Sequence, residues 1–333
     1  MNKPLKYAVF GAGSWATAIV KMLCENLDEV GWYMRSVYTK EYLLREYHNP
    51  NYLSSVEFHI NQLKLSNDIN EIANYADVLI FVIPSAFIHA ELQKMNVDIS
   101  NKIIVSAVKG IIPETGLLVG EHFHEAYKIP YNDIAVIAGP CHSEEVALER
   151  LSYLTISCSD AKKAQTIANA LSSDYIKTKI SDDIIGVEYA VMLKNIYAIA
   201  AGIAHGLGYG DNFQSVLMSN SIREMKRFIK KMHKMKRNIN NSAYLGDLLV
   251  TGYSVFSRNR MFGNMIGKGY TVKSAQMEMS MVAEGYYATK SAHLLNEKNK
   301  SKTKLPIINA VYDILYEGKD SKKTFKKLTD KLD

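Results

Sequence analysis

Short apolar runs recur along the first half of the chain and are separated by polar turns and helix-like segments. An uninterrupted apolar run is typical of a strand that is buried on both faces, as in a parallel sheet. Residues 161–171 carry a helical pattern between two such runs. We therefore predict a doubly wound α/β sheet with strands at residues 6–10, 30–34, 77–83, 102–106, 134–138, 153–157 and 175–179.

The strand pattern stops after Ser181-Asp-Asp183, and the chain from Gly186 onward reads as helices and loops. We place a domain boundary at residues 181–186, so that residues 1–184 form an α/β domain and residues 185–333 an all-helical domain. The most apolar long segment, Tyr189–Gly202, is predicted to be a core helix.

A glycine turn follows the first strand and opens a helix. Its sequence, Gly11-Ala-Gly13-Ser-Trp-Ala16, is a form of the dinucleotide-binding fingerprint of Rossmann-type domains. Gly11 permits the tight turn, Gly13 lets the backbone approach a pyrophosphate, and Ala16 lets the helix pack closely on the strand. A helix beginning near Ser14 then directs free N–H groups at the phosphates.

The end of the second strand bears on cofactor choice. NAD-selective sites usually have Asp or Glu there to bind the ribose hydroxyls, whereas this strand ends in Arg35-Ser36. Arginine pairs with phosphate, so the sequence permits NADP or both cofactors. The alternative is a surface arginine without a cofactor role.

Two further turns follow predicted strands, at the sheet edge where open α/β folds bind ligands. One turn contains Lys109-Gly110 and the other is Gly139-Pro-Cys-His-Ser143. Lys109 is therefore predicted to place a positive charge at this edge.

The helical half contains two further candidates. Lys194 lies in the middle of the apolar helix, and burial of an ammonium group lowers the pKa of a lysine enough for acid–base chemistry; the alternative is a side chain that extends to solvent. Ser257-Arg258-Asn259 offers a hydroxyl, a guanidinium and an amide to an oxyanion such as phosphate. The alternative is a capping turn with an exposed arginine, and Asp247 could equally be a helix cap.

Composition narrows the class of protein. The 333 residues carry a net charge of +6, concentrated at residues 223–237 and in the lysine-rich C-terminal tail. Apolar residues recur at helical spacing through 223–237, so we interpret this run as an amphipathic helix with a solvated basic face and not as a nucleic-acid site. The three cysteines lack metal-ligand or disulfide spacing, which predicts no metal site and a reducing, cytoplasmic compartment.

Membrane insertion and secretion are not expected. The N-terminus runs directly into a strand pattern and leaves no room for a signal peptide. Polar residues, including Glu188, Lys194 and His205, interrupt the apolar helix, so we read it as part of a core and not as a stable membrane span.

Taken together, these motifs resemble the bacterial-type NAD(P)-dependent glycerol-3-phosphate dehydrogenases over nearly the whole chain. The Lys-Asn helix and the Ser-Arg-Asn-Arg segment, in this order and spacing, are the most specific signals. The matching segments are Gly11–Ala16, Val-Ile-Pro-Ser85, Val-Lys109-Gly-Ile, Ala-Gly-Pro140, Leu-Lys194-Asn-Ile-Tyr-Ala-Ile-Ala-Ala-Gly202, Gly-Asp-Asn212, Leu-Gly-Asp247-Leu and Ser-Arg-Asn-Arg260.

The resemblance implies reversible reduction of dihydroxyacetone phosphate, a triose phosphate, to sn-glycerol 3-phosphate for glycerophospholipid synthesis, in a cytoplasmic homodimer formed through the helical domain. Lys194 matches the catalytic lysine, which acts as general acid and base. The positions matching substrate contacts are Lys109, Gly139, Cys141, Lys194, Asp247, Ser257, Arg258 and Asn259. Besides Gly11 and Gly13, the positions matching cofactor contacts are Ser14, Trp15, Arg35, Lys109, Ser143, Arg258, Val282 and Glu284.

The chain departs from the family pattern at three places. Ala16 replaces the third glycine of the turn, and Gly252 stands where a cysteine is common. Cys141-His142-Ser143 replaces the usual Ser-Phe-Ala, which alters the hydroxyl expected near the substrate. Two alternatives stay open: another dehydrogenase of this architecture acting on a hydroxy acid or sugar phosphate, and a redox-sensing nucleotide-binding protein without turnover.

Overall fold

The computed structural model describes residues 4–279, 283–298 and 302–333. It divides into two compact units, which are described separately. The first comprises the chain up to Val108 together with Leu117–Ile184, and the second comprises Lys109–Gly116 and Ile185–Asp333. The short segment Lys109–Gly116 therefore belongs to the second unit although its neighbours along the chain belong to the first.

The first unit is built on one sheet, and the strand order confirms the predicted Rossmann-type doubly wound fold. In the described residues the sheet has eight strands in the order β3-β2-β1-β4-β5-β6-β7-β8, with β7 antiparallel to β6 and the other pairs parallel. The strands are β1 (Tyr7–Phe10), β2 (Val30–Tyr33), β3 (Leu63–Ser66), β4 (Val78–Phe81), β5 (Ile103–Ser106), β6 (Ile134–Ala138), β7 (Ser152–Cys158) and β8 (Ile176–Ser181).

Helices connect these strands, and α1 packs on the sheet with Ile19, Met22 and Leu23 fully buried against Trp32 of β2. The helices are α1 (Ser14–Cys24), α2 (Val37–Glu46), α3 (Ile69–Tyr75), α4 (Ser85–Leu92), α5 (Val119–Tyr127), α6 (Ser143–Ala147) and α7 (Ala161–Leu171). Two 3₁₀ turns lie at Ile60–Gln62 and Tyr131–Asp133.

The described residues of the second unit after Ile185 form helices joined by loops, which confirms the predicted helical C-terminal region. Its helices are α8 (Ile184–Gly206), α9 (Asp211–Met232), α10 (Asp247–Tyr253), α11 (Arg258–Gly267), α12 (Val272–Glu278), α13 (Glu284–Lys298), α14 (Pro306–Leu315) and α15 (Ser321–Thr329), with a π-helical turn at Ser242–Gly246. Helix α8 contains the predicted core helix. It is long and apolar enough to cross a membrane, but 94% of its most apolar window is buried inside the protein, as in a core helix.

Two elements differ from the sequence predictions. Strand β3 was not predicted, because its four residues include lysine and serine and only its two ends are buried. The predicted helix over residues 223–237 ends at Met232, and His233 has extended backbone (φ −141°). The apolar side chains that anchor α9 end at Ile229, while Met232 and Met235 are half-buried, so packing does not continue the helix to Arg237.

Glycines let α8 and α11 touch backbone to backbone. A Cβ added to Gly263 of α11 would lie 2.1 Å from the carbonyl oxygen of Ile199 on α8, and a Cβ on Gly202 of α8 would lie 2.0 Å from a carbonyl oxygen of α11. Gly206 and Gly267 form a similar contact one turn further along. Only a residue without a side chain allows this approach, so these positions fix the distance between the two helices.

A buried carboxylate connects α9 with α14. Glu224 is fully buried, and its two carboxylate oxygens accept hydrogen bonds of 2.9 Å from the backbone N–H groups of Ile307 and Ile308. These groups lie in the first turn of α14, where no intrahelical partner exists for them. Burial raises the pKa of Glu224 to about 7, although the two N–H groups and the Arg227 charge oppose the shift.

This shift makes the stability of the second unit depend on pH. The unfolded chain releases the Glu224 proton near 4.5 and the folded chain near 7, so between these values the unfolded state binds fewer protons and stability falls as pH rises. We expect a loss on the order of 3 kcal/mol between pH 4.5 and 7.5. Urea unfolding of wild type and Glu224→Gln across this range measures it. The variant should lack this part of the pH dependence, and identical pH profiles would contradict the role of Glu224.

Candidate functional site

The glycine turn of the first unit is held by the strands on either side of it. Gly11 has φ +127°, which favours glycine, and a Cβ there would lie 2.7 Å from the carbonyl oxygen of Val82 after β4. The N–H of Gly11 donates to the carbonyl oxygen of Tyr33 on β2 at 3.1 Å. The turn between β1 and α1 is therefore fixed against both neighbouring strands.

The backbone at the start of α1 is accessible to a ligand. Gly13 precedes the helix, and a Cβ added there would meet no atom within 4 Å among the described residues. Within the described helix α1, the first turn carries no acidic side chain that would repel an anion. Ser14 is buried and Trp15 half-buried, so the first turn presents mainly its backbone N–H groups. This geometry fits a pyrophosphate at a helix N-terminus.

Arg35 lies at the same edge of the sheet, two residues after β2. Its side chain is 74% exposed, and its Nη1 lies 3.7 Å from Oε1 of Glu91 on α4. The hydroxyl oxygen of Ser36 accepts the N–H of Thr39 and caps α2. Ser36 is thus engaged in capping α2, whereas the guanidinium of Arg35 is exposed to solvent.

Gly139, Cys141 and Ser143 follow β6. Gly139 has φ +119°, and a Cβ there would lie 2.6 Å from the carbonyl oxygen of Tyr153. Cys141 is half-buried, and Ser143 begins α6, where its hydroxyl donates to the carboxylate of Glu144 at 3.0 Å. The structure gives this turn a tight backbone conformation at the carboxyl end of its strand.

In the second unit, Lys194 forms a buried ion pair. Its Nζ donates to Oδ1 of Asp247 at 2.5 Å, and the two residues are only 7% and 2% exposed. Lys194 lies in the middle of α8, and Asp247 is the first residue of α10. The side chain of Lys194 therefore does not extend to solvent, which excludes the alternative that its position in the sequence left open.

Lys109 belongs to the same unit and carries a perturbed charge. Burial lowers the pKa of Lys109 to about 8, and the positive charge of Lys194 acts in the same direction. The charge of Arg258 also lowers this pKa, whereas the carboxylates of Glu284 and Asp247 raise it. These five groups were all predicted site residues, and the structure brings them within electrostatic reach of one another.

Asn195 is a residue that sequence reasoning left out of the site. Its Oδ1 accepts the Nδ2 of Asn259 at 3.0 Å, and the Oδ1 of Asn259 accepts the N–H of Gly285 at 2.9 Å. The amide nitrogen of Asn195 is buried and has no hydrogen-bond partner in the described part of the chain. The only sequence signal for Asn195 is its position directly after Lys194.

Ser257 caps α11, as one of the two sequence readings proposed. Its Oγ accepts the N–H of Arg260 at 3.3 Å, and the residue is buried. Arg258, the first residue of α11, is half-buried and not fully exposed. Asn259 is buried and has both ends of its amide hydrogen-bonded. Val282, a predicted cofactor position, lies outside the described residues.

Metal binding has no support in the described ranges, which contain no group of three or more His, Cys, Asp and Glu side chains placed to hold an ion.

Comparison with protein families identifies one match for each half of the chain. Residues 6–164 match the family described as NAD-dependent glycerol-3-phosphate dehydrogenase N-terminus. Residues 183–326 match its counterpart, NAD-dependent glycerol-3-phosphate dehydrogenase C-terminus. The N-terminal match precedes the C-terminal match along the chain, and together they span most of it.

Individual relatives agree over the full length. The glycerol-3-phosphate dehydrogenase [NAD(P)+] of Macrococcus caseolyticus is 33% identical over 327 residues, 97% of each chain. That of Bacillus velezensis is 35% identical over 315 residues, 94% of this chain and 90% of its own. The crystal structure of glycerol-3-phosphate dehydrogenase from Coxiella burnetii superposes with a TM-score of 0.88 at 28% identity, covering 98% of both chains. The Saccharomyces cerevisiae enzyme has the same fold, with a TM-score of 0.83 at 23% identity over 98% of this chain and 99% of its own.

The buried Lys194–Asp247 pair leads to a stability prediction. Asp247→Ala leaves an uncompensated buried ammonium and should cost about 3–5 kcal/mol, whereas Lys194→Met combined with Asp247→Leu should recover most of that loss. The pair between the half-buried Asp313 and the exposed Lys319 is the control, and Asp313→Ala should cost far less than Asp247→Ala. Denaturant unfolding measures all three. A double variant as unstable as Asp247→Ala would contradict the coupling.

Proposed function

The chain belongs to the NAD-dependent glycerol-3-phosphate dehydrogenase family, and we propose that it reversibly reduces dihydroxyacetone phosphate to sn-glycerol 3-phosphate with NADH or NADPH. The observation that carries this proposal is the buried ion pair between Lys194 and Asp247, with a 2.5 Å contact, within electrostatic reach of the half-buried cation Lys109. Such a concentration of charge is costly in a protein interior unless a function retains it.

Lys194 is proposed to handle the proton of the reaction. The nicotinamide supplies the hydride, and the ketone oxygen then develops negative charge that needs a proton and a nearby cation. The ammonium of Lys194 donates that proton in reduction and its amine accepts it in oxidation. Asp247 holds Lys194 in place by the 2.5 Å hydrogen bond.

Lys109 is proposed to add a second positive charge that holds the substrate oxygens. A further hydrogen-bond donor is the amide nitrogen of Asn195, the residue after Lys194. This nitrogen is buried and has no partner in the described residues. We propose that it donates to the substrate, because a buried amide that lacks a partner gains one when a polar ligand binds.

Arg258 is proposed to bind the substrate phosphate. Its guanidinium offers the planar donor pair that suits phosphate, and it lies at the N-terminus of the ten-residue helix α11, which also favours an anion. Ser257 caps this helix and so fixes the start of α11. Asn259 acts mainly through Asn195, since both ends of its amide are already hydrogen-bonded.

The cofactor is proposed to bind through the backbone of the glycine turn. Gly11 and Gly13 shape the turn, and the N–H groups of Ser14 and Trp15 face the pyrophosphate. Arg35 would contact the adenosine ribose. The remaining proposed contacts to cofactor or substrate are Lys109, Gly139, Cys141, Ser143, Arg258, Val282 and Glu284.

The cellular setting follows from the family resemblance and stays a prediction. We expect a cytoplasmic homodimer, formed through the helical unit, that supplies glycerol 3-phosphate to phospholipid synthesis. Symmetric dimers are also the commonest oligomers of soluble proteins.

The decisive test of the reaction is substrate-dependent oxidation of NADH or NADPH, followed by absorbance. Lys194→Ala should lower kcat by at least about 100-fold, because it removes the general acid, and should leave the Kd for the reduced cofactor nearly unchanged. Lys230→Ala, which removes an exposed lysine from α9, is the matched control and should keep wild-type turnover. Full activity of Lys194→Ala would refute the proton-transfer role. A wild-type protein that binds cofactor but does not turn over the triose phosphate would refute the proposed reaction.

Lys109 predicts a pH dependence of substrate binding. Its pKa of about 8 means that the side chain is an ammonium below that pH and an uncharged amine above it. The KM for dihydroxyacetone phosphate should therefore rise as pH increases through 8, since the substrate phosphate is already ionised above pH 7. Lys109→Arg keeps its charge throughout and should show no such rise. If KM in Lys109→Arg rises with pH as it does in the wild type, the assignment to Lys109 is wrong.

A further inference from the structure

A buried carboxylate lies next to the arginine that ends β2. Glu91, on α4, is 5% exposed. Its Oε2 accepts the hydroxyl of Tyr33 at 2.8 Å, and its Oε1 accepts the ammonium of Lys94 at 2.8 Å. The same Oε1 lies 3.7 Å from Nη1 of Arg35. Three groups therefore converge on this one carboxylate, two from the end of β2 and one from three residues after Glu91.

Glu91 carries a fixed negative charge under physiological conditions. Burial alone would raise the pKa of its carboxyl group, but the hydrogen bonds from Lys94 and Tyr33 and the charges of Lys94 and Arg35 outweigh burial and hold the pKa below its usual range. Tyr33 is itself 3% exposed and positioned by β2. The carboxylate is thus held in place from the sheet, whereas Arg35 is 74% exposed and can exchange partners.

The cluster around Glu91 lies next to the glycine turn, where its charge can affect cofactor binding. Tyr33 pairs with Phe10 in the parallel register of β2 and β1, so Arg35 follows the strand next to the glycine turn. In Rossmann-type domains the residues that end the second strand meet the adenosine ribose, whose 2′ position carries a hydroxyl in NADH and a phosphate in NADPH. A carboxylate beside Arg35 competes with a 2′-phosphate for the same guanidinium.

We propose that Glu91 sets the cofactor preference by competing with the 2′-phosphate for Arg35, so that the enzyme accepts NADH and NADPH with similar affinity. The inference rests on the proposed cofactor role of Arg35. Glu91 has no direct contact with the cofactor in this scheme: it is a positioning residue that acts through the arginine. An unopposed Arg35 would favour NADPH strongly, and an acidic residue at the strand end would favour NADH.

The first measurement uses the wild-type protein and needs no substrate. The Kd values for NADH and NADPH, from nucleotide fluorescence or calorimetry, should agree within about 10-fold, which corresponds to about 1.4 kcal/mol. A preference of about 100-fold or more for either cofactor would overturn the proposal. Failure of both nucleotides to bind would overturn the proposed function together with it.

The second measurement isolates Glu91. In Glu91→Gln the ratio of the NADH Kd to the NADPH Kd should rise by roughly 5-fold, because the guanidinium of Arg35 no longer has a carboxylate competing with the 2′-phosphate for it. The matched control is Glu46→Gln, which neutralises an exposed carboxylate of α2 that pairs with Arg45 and should leave the ratio unchanged. A merely structural role for Glu91 would weaken both cofactors equally, so an unchanged ratio refutes the proposal.

The third measurement tests the route through Arg35. In an Arg35→Ala background, Glu91→Gln should change the ratio by less than about 2-fold, since the residue for which the two anions compete is absent. A full 5-fold effect in that background would show that Glu91 acts without Arg35 and would overturn the competition. The proposed reaction is judged separately, by turnover of the triose phosphate.

Discussion

A charged side chain on a helix that is buried on nearly all sides needs a partner of opposite charge, and this constraint organises the second unit. Lys194, in the middle of α8, needs a carboxylate, and Asp247 provides it at 2.5 Å. The amide of Asn195 is oriented by a hydrogen bond from Asn259 on α11. The cost of an unpaired buried charge is large, so the neighbouring helices must take up positions that satisfy α8. The glycine contacts between α8 and α11 make this possible, because they allow the amides to come within hydrogen-bond distance.

The two units contribute different kinds of group to the proposed contacts. In the first unit the proposed cofactor contacts are largely backbone groups, shaped by glycines at the ends of parallel strands. In the second unit the proposed contacts to substrate and cofactor are side chains, among them those of α8, α10 and α11 together with Lys109. Backbone sites tolerate changes in neighbouring side chains, which fits the departure at Cys141-His142-Ser143. Side-chain sites do not, and Lys194, Asp247 and Arg258 are all present.

This difference also explains what the sequence could predict. Apolar runs such as Val78–Phe81 predicted strands because burial on both faces leaves an uninterrupted apolar sequence, and the glycine turn was recognised because its geometry demands particular residues. Leu63–Ser66 carries no such signature and was missed. Pairs far apart in sequence were beyond reach: Lys194 and Asp247 are separated by 53 residues and Tyr33 and Glu91 by 58. The resemblance to a known family identified Lys194 and Asp247 as site residues, but none of the matching segments points to Glu91.

The assignment of Lys109–Gly116 to the second unit has a consequence for how the molecule can be divided. The chain passes between the units three times, at Val108–Lys109, Gly116–Leu117 and Ile184–Ile185. A single cut near residue 184 would therefore not separate two self-contained modules, because the helical fragment would lack an internal segment that carries one of its charged groups. A chimera that joins the α/β half of one relative to the helical half of another inherits Lys109 from the wrong parent. Recombination within such a lineage must exchange both segments to preserve a matched set of charges.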